Sequence, residues 1–143
     1  MTAVERLRKG VSTRSAEGSR VFAAALAPEL PREATLALHG EMGVGKTTFV
    51  QGLARGFGVA AEVTSPTFII CALYRGARLL VHLDAYRIET PAQAEALLVE
   101  DLLEPPYCLA VEWPDRISAW LPADAWHIDI GMGAGGRHTF KLR

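Results

Sequence analysis

The stretch GEMGVGKTT, Gly40 to Thr48, holds the residue types and spacing of a phosphate cradle. Gly40, Gly45, Lys46 and Thr47 fit G-x-x-x-x-G-K-[ST], in which glycines let backbone N–H groups curl around phosphate oxygens, lysine neutralises them, and threonine reaches Mg2+. With 13 glycines in 143 residues and lysine rarer still, the pattern arises by chance at roughly 0.002 over the chain. Coincidence is a poor explanation. Holding a phosphate is not yet hydrolysing it, so the acids downstream decide what the loop is for. LLVHLD is an apolar run ending in Asp84, and CLAVEW is another that delivers Glu112. One carboxylate of such a pair can hold a metal ion directly or through water, while the other orients or deprotonates an attacking water.

These groups act together only if the surrounding elements bring them to one place. ATLALH (34–39) reads as a short strand leading into the loop, and TTFVQGLARGFG as a helix stopped by Gly56 and Gly58, its N-terminal dipole favouring anions. Upstream, SAEGSRVFAAALAPEL predicts a helix capped by Ser15, with Val21, Phe22, Ala25 and Leu26 at helical spacing. Downstream, TFIICALY and RLLVHLD read as strands joined by the turn RGA, PAQAEALLVEDLL as a helix opening on proline, and YCLAVEW and WHIDIGM as further strands. The tail GMGAGGRHTFKLR predicts a glycine-rich hairpin closing the sheet. This alternation predicts a single three-layer α/β domain over 1–143, with a largely parallel sheet, antiparallel edge strands, and residues 1–11 as a flexible N-terminal segment. In a parallel sheet the carboxyl ends of neighbouring strands share the edge that carries the glycine loop, so Asp84 and Glu112 are expected to face it together. TSPTF, Thr64 to Phe68, follows the loop helix where a γ-phosphate sensor would sit, although an ordinary proline turn explains the same residues.

Composition narrows the partners. Half the residues are hydrophobic and 22% are charged, an ordinary globular balance. The net charge of -1 provides no positive field for gripping a nucleic-acid backbone through many phosphates. No run approaches 18 uninterrupted apolar residues and no signal-peptide pattern opens the chain, so a cytoplasmic location without membrane contact is expected. Cys71 and Cys108 lie inside hydrophobic runs without metal or redox spacing, and read as buried core thiols.

GEMGVGKTTF, VTSPTF, HLDAYR and VEWPDR, in this order and spacing, closely resemble the TsaE (YjeE) family of small bacterial P-loop ATPases, and the resemblance covers roughly residues 12 to 140. It implies a P-loop NTPase domain that binds and hydrolyses ATP with Mg2+ in making the N6-threonylcarbamoyl modification of adenosine 37 in tRNA. It also implies action beside TsaD and TsaB, contact with tRNA only through that complex, and no part in the carbamoyl transfer itself. Carried over by position, Glu41, Met42, Gly43, Val44, Gly45, Lys46, Thr47 and Thr48 form the phosphate loop. Thr47 and Glu112 become Mg2+ ligands, Asp84 the second acid needed for hydrolysis, and Thr64 to Phe68 a switch-like segment. Arg137, in the glycine-rich tail, is expected near the nucleotide. Family members often read GDLGAGKT where this chain has Glu41, Met42 and Val44, side chains the phosphates do not need. Ala16 stands where the family commonly carries a threonine, which leaves Thr13 as the nearby substitute.

Other residues have plainer expectations. His39 reads as a packed strand-end histidine and Trp113 as a core or loop anchor, with partner contact as its alternative; His82, two residues before Asp84 on the same strand face, reads first as a packed strand histidine, with orienting Asp84 as the alternative. Residues 88 to 115 contain seven acids and no Lys or Arg, a solvated face or a dock for a basic partner. Rival functions are a P-loop kinase for a small acceptor and a nucleotide-dependent binding switch. Size disfavours the kinase, because no residues remain for an arginine-rich lid or an acceptor-binding insertion.

Overall fold

The computed structural model describes residues 1–41, 45–64 and 71–143. Met42, Gly43 and Val44 of the phosphate loop, residues 65–68 of the TSPTF stretch and the first part of TFIICALY lie outside the described residues. Among the described residues seven strands form one mixed sheet in the order β1-β7-β6-β2-β5-β4-β3. Its centre is parallel: β2 (Glu33–His39) pairs with β5 (Tyr107–Glu112) and with β6 (Trp126–Met132), and β5 pairs with β4 (Leu79–Asp84). Both margins are antiparallel, with β3 (Cys71–Arg75) against β4, and β7 (His138–Leu142) against β6 and β1 (Val11–Thr13). This is the α/β architecture expected from the alternation of patterns, and the glycine-rich tail makes the β6–β7 hairpin.

The central strands read as near-continuous apolar runs because both of their faces are covered. On one face Leu36, Leu38, Leu80, Cys108, Ala110 and Ile128 meet the layer built from α1 (Ala3–Lys9), α2 (Ala16–Leu26) and α3 (Lys46–Gly56). On the other, Leu79, Val81, Leu83, Leu109 and Val111 meet Ile88, Ala94 of α4 (Pro91–Ala96), Val99 and Ile117. A single-residue alternation along β4 and β5 divides the two cores.

Helix α2 is capped as the sequence implies, its Ser15 hydroxyl accepting from Gly18 N at 3.0 Å. Its buried face is Ser19, Phe22, Ala23 and Leu26, whereas Val21 and Ala25 point to solvent. The offset has a cause in α3. A Cβ on Gly52 would lie 2.5 Å from Arg20 O and 2.6 Å from Ala23 Cβ, and one on Gly56 would lie 2.5 Å from Ala27 Cβ. The helices touch along small residues, which draws Ala23 rather than Val21 inward.

Residues 1–11, expected as a flexible segment, carry α1 and the start of β1. Thr2 and Glu5 form a reciprocal capping box, Glu29 accepts from Ala3 N at 2.9 Å and Val4 N at 3.1 Å, and Leu7 is fully buried. The expected long helix over PAQAEALLVEDLL stops at Ala96. Leu98 takes a left-handed conformation (φ 53°), and a 3-10 turn over Val99–Leu102 follows, which brings Val99 into the core. Among the described residues no helix is long and apolar enough to cross a membrane.

Candidate functional site

The carboxyl ends of β2, β5 and β4 assemble the site. Leu38 pairs with Glu112, and Glu112 with Asp84, so the loop entrance and both acids stand level on three adjacent strands. Helix α3 opens behind them on Gly45, which has φ 105° and offers no side-chain cap. Its first N–H groups, not occupied by a side chain, are those a phosphate would take. A Cβ on Gly45 would stand 3.3 Å from His138 Nδ1, so the loop backbone here runs close against β7.

Lys46 is buried, at 4% exposure. Its Nζ donates to Gly40 O at 2.7 Å and lies 3.8 Å from the centroid of the Trp113 ring. Burial holds the ammonium below its usual range of ionisation, and the Glu112 and Asp84 carboxylates oppose that shift. Both acids therefore act electrostatically on the lysine. Trp113 reaches this position because it follows Glu112 in a left-handed conformation (φ 58°), and its ring also meets Tyr86 at 5.2 Å. Arg116 stacks its guanidinium 5.7 Å from the Tyr86 ring.

The two acids are held differently. Asp84 is half-buried and its Oδ1 accepts from Tyr86 N at 2.9 Å, a local turn that fixes the carboxylate. Glu112 is buried, with Oε2 at 2.5 Å from Nε2 of His82. His82 thus holds Glu112 rather than Asp84, the acid nearer to it in sequence. Thr47 and Thr48 lie half-buried in the first turn of α3, and Glu41 is exposed at the rim. Thr13 pairs with His138 across β1 and β7, and its hydroxyl lies 2.6 Å from that of Ser19. That pairing brings Thr13 to the Gly45 end of the loop helix. Arg137 is exposed just before β7, its carbonyl accepting from Gly133 N at 2.8 Å. Met42, Gly43 and Val44 lie outside the described residues, as does most of the switch-like segment.

A groove of about 280 Å³ runs beside the loop, lined by Leu38, His39, Gly40, Glu41, Trp113, Pro114 and Asp115. His39 is packed at its floor, stacked on His127 with Nε2 to Nδ1 at 2.9 Å and with Asp115 at 3.5 Å. Burial lowers its pKa.

The donor set fits a nucleotide triphosphate with Mg2+. An uncapped helix start, a positive-φ glycine close against His138, and a buried lysine on which two carboxylates act stand together, with the Thr47 hydroxyl in the first turn of the same helix. Among the described residues no three His, Cys, Asp or Glu side chains converge as a metal cluster. Mg2+ beside a phosphate is held by one or two carboxylates together with phosphate oxygens and water, a donor number that Glu112 and Asp84 match. Sequence reasoning missed two contacts here: Trp113 against Lys46, and His138 against Gly45. The first depends on an unusual backbone angle and the second on a strand pairing, and neither leaves a local mark in the residue pattern.

Comparison with known proteins identifies a family. Residues 13–139 match the family model described as "Threonylcarbamoyl adenosine biosynthesis protein TsaE". The tRNA threonylcarbamoyladenosine biosynthesis protein TsaE of Synechocystis sp. is 43% identical over 97 residues, covering 64% of this chain and 61% of that protein. The chain thus spans about three fifths of that relative. The protein of the same name from Treponema pallidum is 31% identical over 130 residues, covering 91% of this chain and 96% of its own. Among solved structures, the crystal structure of Bacillus subtilis YdiB superposes with a TM-score of 0.74 at 29% identity, over 93% of this chain and 82% of that one. On the extent of these matches, the chain belongs to the TsaE family.

Proposed function

We propose that this protein is a Mg2+-dependent ATPase that serves the synthesis of N6-threonylcarbamoyladenosine at position 37 of tRNA, in the cytoplasm, together with the TsaD and TsaB proteins. The observation that carries the reading is the row Leu38, Glu112, Asp84 facing a buried Lys46 at the start of an uncapped helix. Its kinship with tRNA threonylcarbamoyladenosine biosynthesis proteins supplies the pathway. In this reading the loop N–H groups and Lys46 bind the β- and γ-phosphates of ATP, and Thr47 and Glu112 hold Mg2+. When bound, Mg2+ neutralises phosphate oxygens as charge develops on them. Asp84, fixed by the Tyr86 N–H, orients the attacking water and takes its proton. Thr13, Thr48 and Arg137 border the nucleotide.

Hydrolysis by the protein alone is slow in this reading. Arg87, Arg116 and Arg137 do not stand in a finger loop, and Arg116 is engaged with Tyr86. Charge on the transferring phosphoryl group is then incompletely neutralised until a partner docks. Nucleotide-dependent docking to TsaD/TsaB is the output, and tRNA is met only within that assembly. The test is steady-state ATP turnover by the protein alone, with TsaD/TsaB, and with nucleosides and sugars as acceptors. Phosphate release stimulated by the protein complex, without a phosphorylated product, is expected. A stoichiometric phosphorylated small molecule with no response to TsaD/TsaB would make the protein a kinase.

A further inference from the structure

His82 interrupts an otherwise apolar stretch of β4 and is fully buried. Ala110 stands opposite it on β5, so Glu112, two residues further on, occupies the diagonal position on the same sheet face. The imidazole reaches across that diagonal: Nε2 lies 2.5 Å from Glu112 Oε2, while the buried Nδ1 meets no hydrogen-bond partner among the described residues. A neutral imidazole carries one N–H and one bare nitrogen. With the proton on Nδ1, a buried donor would go unpaired and the Nε2 lone pair would oppose a carboxylate oxygen. With the proton on Nε2, the carboxylate receives a hydrogen bond and only an acceptor is left unpaired, the cheaper of the two arrangements.

We propose that His82 is a positioning residue for Glu112: it keeps its ring proton on Nε2 and thereby holds Oε2, so that Oε1 is the oxygen presented to an incoming ligand. The Glu112 carboxylate is placed by the successive torsions of its side chain, of which the strand backbone fixes only the starting Cβ. The histidine removes the remaining freedom before any nucleotide arrives. The inference rests on the reading of Glu112 as a Mg2+ ligand, and it assigns His82 the outer role that commonly orients metal-site carboxylates.

Two variants and one spectrum test it. His82→Phe keeps the ring shape and removes both nitrogens, whereas His82→Gln returns an amide N–H near the place of Nε2. His82→Phe is expected to lower kcat by about 10- to 100-fold and to raise the Mg2+ concentration for half-maximal rate, with KM for ATP little changed. His82→Gln should recover most of that loss even where its melting temperature is no higher than that of His82→Phe. In the ligand-free wild-type protein, two-bond proton–nitrogen NMR of the His82 ring should show the Nε2–H tautomer. An Nδ1–H tautomer, wild-type kcat and Mg2+ dependence in His82→Phe, or equal losses in both variants that follow melting temperature would overturn the proposal. Absence of ATP turnover in the wild-type protein would instead remove the ATPase reading, and the ring spectrum would still decide whether His82 holds Glu112 as described.

Discussion

Lys46 has its ammonium between a backbone carbonyl and an indole face, with two carboxylates that oppose, without cancelling, the effect of burial on its ionisation. No neutral side chain reproduces that charge-assisted contact with phosphate. Lys46→Ala should therefore reduce turnover by more than about 100-fold and weaken ATP affinity, as read by steady-state kinetics and calorimetric titration; unchanged values in a folded variant would remove the phosphate-loop assignment. Glu112 separates two effects. Glu112→Ala leaves the buried His82 donor without an acceptor, so about 1–3 kcal/mol of stability should be lost along with activity. Glu112→Gln retains an acceptor oxygen and loses the charge, so activity should fall while the denaturation midpoint stays near that of the wild type. Asp84→Asn keeps the Oδ1 that caps Tyr86 N and loses basicity, and should reduce turnover far more than nucleotide binding. Both acids were legible in the sequence because each ends an apolar run. The link from His82 to Glu112 was not, since Asp84 lies on the same face two residues away, and only strand pairing shows that the cross-strand diagonal is the partner taken.

At the scale of elements, α3 serves the site at its first turn and the core along its length. Gly52 faces Arg20 and Ala23 of α2 at distances no Cβ could occupy. Gly52→Ala gains roughly 1 kcal/mol of intrinsic helix propensity but forces the helices apart at a cost of about 1–3 kcal/mol. The expected net outcome is destabilisation in urea, and a variant more stable than wild type would contradict the close packing. Helix propensity and periodicity located α2 and α3 from sequence, yet the contact between their small residues set which face is buried. Val21 is the larger side chain and lies outside; Ala23 fits the approach and lies within. The break at Leu98 was equally hidden, because EALLVEDLL satisfies helical spacing as well as the bent path that buries Val99.

In the whole molecule β5 lies between β2, the middle strand of the sheet, and β4, and Cys108 on it is fully buried. Burial lifts the Cys108 thiol to a pKa of about 12, whereas Cys71 is only half-buried and is raised for the same reason. Near neutral pH, Cys71 should react first with an alkylating reagent, and Cys108 only when the domain opens. Labelling of Cys108 across a urea series should share its midpoint with the loss of circular dichroism, and early labelling would show a sub-global opening of β5. The order of strands and helices was readable from their patterns because the two covered faces leave plain apolar runs. The pairing of β1 with β7 was not, because three residues, Val11 to Thr13, carry too little pattern and owe their conformation to the neighbour they join. The level row of Leu38, Glu112 and Asp84 also governs which changes of chain length the protein can accept. Removing one residue within Tyr107–Glu112 would turn Glu112 to the opposite side of the sheet while its neighbours stayed in place. The same deletion in exposed connections such as that between 121 and 125 would spare the row. Gaps between related sequences should accordingly collect in those connections, and the three central strands should keep one common length.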